Sequence, residues 1–130
     1  MASNYTSFSF VIQDLNKEQV SWLSKKLSVN EDFAEHRYSL NEPLDITIYS
    51  EGYADLEGLA ELLQEFLKNF NLDRSIGFEY ACTCSKPRVG EFGGGCMLVS
   101  KEDIKLKTTY DILEEMCQED ENYKRAHDLV

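Results

Sequence analysis

The chain has 130 residues, of which 42% are hydrophobic and 28% charged, and its formal net charge is −11. That is the size and mix of one globular domain (1–130), able to bury a core without a disulfide or metal staple. No run of about 18 apolar residues exists to cross a membrane, and so acidic a chain lacks the clustered Lys and Arg that grip a phosphate backbone.

The first residues carry no basic segment followed by a long apolar one, so the expectation is a cytoplasmic protein without a secretory signal. In that compartment Cys82, Cys84, Cys96 and Cys117 are read as free thiols.

Tyr5 to Ile12 alternates, with Phe8, Phe10 and Ile12 on one face, and predicts a strand. A helix is predicted from about Lys17 to Leu27. Asn16 and Gln19 have capping-box spacing, and Leu15 and Val20 stand where a hydrophobic staple falls. Val20, Leu23 and Leu27 form its apolar stripe, and Leu23 competes with Trp22 for that face. Asn30 to Glu35 is polar and reads as a loop. His36 to Leu40 and Leu44 to Tyr49, on either side of an Asn41-Glu42-Pro43 turn, are spaced to pair as a hairpin.

The second helix, from about Ala54 to Phe70, has the strongest pattern. Leu56, Leu59, Ala60, Leu63, Phe66, Leu67 and Phe70 recur at helical spacing. Gly58 inside it marks a close contact or a later start, because glycine costs about 1 kcal/mol against Ala in an exposed helix interior. Ser75 to Thr83 reads as a strand, Ser85 to Gly94 as a loop, and Gly95–Ser100 and Ile104–Thr108 as a hairpin. Thr108 or Thr109 caps a last helix with Asp111 in its first turn and Tyr110, Leu113 and Cys117 on an apolar edge. From about residue 119 the acidic, polar tail is expected to fray.

The order β-α-β(-β)-α-β-β-β-α predicts an α+β fold. It is a two-layer sandwich with a mainly antiparallel sheet and two helices on one face. Its first part follows the ferredoxin-like β-α-β-β-α-β order.

The run Cys84-Ser85-Lys86-Pro87-Arg88-Val89-Gly90-Glu91-Phe92-Gly93-Gly94 stands apart in composition. With Met97-Leu98-Val99 and Thr109-Tyr110-Asp111 after it, it resembles a family of small bacterial and phage proteins with a CSKPRxGEFGG signature. The resemblance covers roughly the C-terminal half. Members often carry Trp where this chain has Leu106 or Ile112. It implies a bacterial or phage source and no particular reaction.

Physically the run is a hairpin connection, or an anion site in which Lys86, Arg88 and Glu91 stand beside the backbone of Gly93, Gly94 and Gly95. The spacing fits neither a P-loop nor a dinucleotide fingerprint. Cys82-x-Cys84 with Cys96 is poorly spaced for zinc, no nucleophile elbow occurs, and the 24 acids single out no catalytic pair. The expectation is therefore a protein without catalytic residues, metal or cofactor.

A second candidate surface is acidic: Glu57, Glu61 and Glu65 on the second helix, with Glu114, Glu115, Glu119, Asp120 and Glu121 near the end. The leading reading is a non-enzymatic module that binds a protein partner of basic character, as a phage or mobile-element inhibitor of a host system would. The alternatives are an anion-binding loop at Lys86–Gly95 and a nucleic-acid mimic. None of these readings has the chain bind nucleic acid or a membrane directly.

Overall fold

The structure is a computed structural model that describes residues 4–30, 33–39, 41–86 and 92–122. It contains β1 (Asn4–Leu15), α1 (Lys17–Val29), β2 (Glu35–Tyr38), β3 (Leu44–Ser50), α2 (Leu56–Asn69), β4 (Ile76–Cys84), β5 (Gly93–Val99), β6 (Ile104–Thr108) and α3 (Thr109–Glu119). The class is the predicted α+β. The six strands form one sheet in the order β2-β3-β1-β4-β5-β6, and every neighbouring pair is antiparallel. β1 thus separates β3 from β4, and β3 separates β1 from β2. Each of α1 and α2 therefore crosses over an intervening strand, the split β-α-β arrangement expected from the element order.

Alternation puts Phe8 and Ile12 of β1, Ile46 and Ile48 of β3, Ile76 and Phe78 of β4, and Met97 and Val99 of β5 in the core. The helices close over them with Val20, Leu23 and Leu27 from α1 and Leu59, Leu63, Phe66 and Leu67 from α2. Phe10 and Phe78 stack across the β1–β4 pair with centroids 4.5 Å apart. Trp22 takes the margin of this layer, half-buried against Phe66 and Phe70, while Leu23 takes the core position.

Local chemistry explains the element starts. Asn16 and Gln19 form the reciprocal capping box that begins α1. Asp55 caps α2 by accepting from Gly58 N–H at 2.9 Å. Gly58 is a close contact: a Cβ there would run into the Asp55 carboxylate and come within 2.6 Å of Phe33.

Most element boundaries move by one or two residues from the sequence expectation (β2, for one, takes in Glu35, which the sequence reads as loop, and ends at Tyr38), and two of the differences have a clear physical cause. β1 continues to Leu15 through an irregularity between Ile12 and Leu15, with Asp14 at φ 60°. Three steps on β1 there face two on β3 (Ile12↔Ile46, Leu15↔Leu44), so one extra residue lets both Ile12 and Leu15 be buried. β5 begins at Gly93 and not Gly95, because Gly93 and Gly94 pair with Cys82 and Ala81 of β4. No helix among the described residues is long and apolar enough to cross a membrane. α3 ends at Glu119 with Asp120 extended as its C-cap; residues 121–122 are again helical, and the rest of the tail expected to fray, 123–130, lies outside the described residues.

Candidate functional site

α3 starts on a second reciprocal capping box. Thr108 Oγ1 accepts from Asp111 N–H at 3.0 Å, and Asp111 Oδ2 accepts from Thr108 N–H at 3.1 Å. These hydrogen bonds from Thr108 hold the Asp111 carboxyl below the usual carboxylate range. Tyr110, Leu113 and Cys117 follow at i, i+3 and i+7, with Ile112 and Met116 beside them, so the helix has an apolar face. Nothing within the described residues covers that face. No residue of α3 is buried; Tyr110 is 70% exposed, Met116 60%, Leu113 58% and Ile112 42%. Leu106, on the edge strand β6 that leads into the helix, is also exposed.

The remainder of α3 is acidic. Asp111, Glu114, Glu115 and Glu119 lie on it, Asp120 and Glu121 follow, and no Lys or Arg stands between 109 and 122. One contact draws the polar side toward β6: Lys107 Nζ is 3.3 Å from Glu115. The candidate residues Glu114, Glu115, Glu119, Asp120 and Glu121 thus share one exposed segment with the apolar face. Glu57, Glu61 and Glu65 form a separate exposed stripe on α2, where Glu65 lies 3.8 Å from Lys26.

The glycine-rich run is placed in part. Lys86 is exposed, whereas Arg88 and Glu91 lie outside the described residues. Gly93, Gly94 and Gly95 are strand residues in register with Cys82, Ala81 and Tyr80. Gly95 is required by packing: a Cβ there would sit 2.9 Å from the Tyr80 hydroxyl and 2.6 Å from the Lys107 carbonyl. Burial, then neighbouring Cys82, Cys96 and Asp111, push the Tyr80 hydroxyl above its ordinary value. A cleft of about 430 Å³ lies at this end of the sheet, bounded by Tyr80, Gly93, Gly94 and the first turn of α3.

None of the four cysteines is in a disulfide, and no group of three or more His, Cys, Asp or Glu among the described residues could hold a metal ion. One juxtaposition escaped the sequence. Ser24 of α1 and His36 of β2, twelve residues apart, share a hydrogen bond of 2.9 Å between Oγ and Nε2. Burial pushes the His36 ring below its ordinary pKa, so it is neutral near pH 7.

No family model, curated protein or solved structure matches this chain. Function is therefore read from the chain's own surfaces. Of these, α3 departs furthest from what a helix in a closed fold does with its apolar side.

Proposed function

We propose that the protein works by binding another protein, and that α3, with the exposed edge of β6, is the surface it uses. The observation that carries this reading is the apolar face of α3: Tyr110, Ile112, Leu113 and Met116 are exposed on a capped, formed helix. Aromatic and Met side chains gathered on one exposed face suit a protein interface.

Charge selects among occupants. Six carboxylates (Asp111, Glu114, Glu115, Glu119, Asp120 and Glu121) accompany the apolar side chains. They oppose nucleic acid and anionic membrane, and they oppose a second copy of the same helix, which would set like charge against like. A partner surface combining apolar and basic side chains satisfies both halves of α3. Basic surfaces of this kind occur on proteins that handle nucleic acid, which fits an inhibitor carried by a phage or mobile element.

The test is an affinity capture from bacterial lysate by the wild-type chain and by a Leu113→Ser/Met116→Ser variant, each at low and high salt. The expected result is a basic protein retained by the wild type, weakened by salt, and lost with the variant while the thermal melt is unchanged. Retention of the same proteins by both chains would sink the reading. A nucleic-acid mimic acting through Glu57, Glu61, Glu65 and the α3 carboxylates predicts a different pattern. Its capture survives the double Ser variant, and duplex DNA competes it away.

A further inference from the structure

We propose that the cleft between α1 and the β2–β3 hairpin is a binding site for a phosphate monoester with a small apolar body. This cleft measures about 320 Å³, within the range of small-ligand sites. Its polar lining is Lys17, Ser21, Ser24 and Lys25 from α1, with Tyr38 and Ser39 from the hairpin. Two cations and four hydroxyls converge there, and no carboxylate is among the described residues that line it, in a chain whose acids outnumber its bases by 24 to 13. Neither Lys17 nor Lys25 forms an ion pair among the described residues, whereas Lys26, Lys101 and Lys107 do.

Two of these hydroxyls are held in place by neighbours. Ser39 Oγ already accepts from Asp45 N–H at 3.1 Å, which leaves its own proton for a ligand. Ser24 is held at 2.9 Å by the neutral His36 ring. With the proton on Nε2, His36 donates to Ser24 Oγ and frees the serine proton toward the cleft.

A phosphate monoester carries about −1.5 to −2 charge at pH 7 and three strong acceptor oxygens, which match two ammonium groups and several hydroxyls better than the two oxygens of a carboxylate. Val20 and Leu44 supply an apolar floor, and the Tyr38 ring a wall, for the ester's organic part. The site is on the opposite side of the sheet order from α3 and stands independently of it.

The experiment is a titration of the purified chain with phenyl phosphate, followed by amide and His36 ring signals in NMR, with inorganic phosphate and benzoate as comparison ligands. Saturable shifts are expected at Ser21, Ser24, Ser39 and His36, with phenyl phosphate binding tighter than either comparison ligand. Lys17→Ala and Lys25→Ala should each weaken binding about tenfold or more, the loss of one charge-assisted contact. Lys26→Ala removes the same charge outside the cleft, beside Glu65 and Trp22, and should leave affinity unchanged. Absence of saturable shifts, equal losses in all three lysine variants, or benzoate binding as tightly as phenyl phosphate would each overturn the proposal.

Discussion

α2 and α3 are built from the same local rules and end in opposite states. Both are amphipathic, and both begin on a side-chain cap, Asp55 for α2 and Thr108 for α3. α2 buries Leu59, Ala60, Leu62, Leu63, Phe66 and Leu67; α3 buries nothing. Each large apolar side chain that α2 removes from water contributes about 1.5–3 kcal/mol, a gain α3 does not have. The difference lies in what each helix meets. α2 covers the β5–β6 side of the sheet, whereas α3 leaves the end of the edge strand with its apolar side turned to solvent. An amphipathic pattern thus records that a helix has a side to bury; it does not say whether the partner is in the same chain.

The comparison can be broken by substitution. Phe66→Ala in α2 removes a fully buried ring and should cost about 3–5 kcal/mol, read as a large drop in the urea midpoint. Thr108→Ala removes the cap of α3 and should cost about 1 kcal/mol, seen as lost protection of α3 amides with little change in the core. Leu113→Ala with Met116→Ala should shift global stability by no more than about 0.5 kcal/mol, as for exposed positions, while abolishing partner capture. A loss from that pair approaching the Phe66→Ala effect would mean that α3 belongs to the core after all.

The smallest effect is one of pH. Asp111 has its folded pKa below its unfolded value because it accepts from Thr108. Its contribution is therefore present above the unfolded carboxylate pKa and is lost as pH falls through the folded one. The α3 amide signals should hold until pH falls below the ordinary carboxylate range. A transition within or above that range would mean that the Thr108 contact does not hold the Asp111 carboxylate.

Elements whose determinants are close in sequence were legible. The Asn16/Gln19 box, the Ile46/Ile48 alternation and the α2 stripe are each set within a few residues, and each forms as read. Gly93 and Gly94 read as loop because glycine weakens a strand, yet pairing with Cys82 and Ala81 carries both into β5. The β1 irregularity at Asp14 was equally hidden, since it follows from the offset between Ile46 and Leu44 on another strand. Of the candidate site residues, the α3 carboxylates could be named from composition, but their place beside an uncovered apolar face could not.

The amino-acid sequence by itself determined the α+β class, the order of elements, the caps and the acidic character, because propensity, periodicity and charge are properties of short stretches of chain. Only the tertiary structure decided that α2 buries its apolar side while α3, among the described residues, leaves its own exposed, that Ser24 meets His36, and that Lys17 and Lys25 share a cleft with Tyr38 and Ser39. Burial and convergence need a second surface, and which surface arrives is fixed by strand order and register across distant parts of the chain.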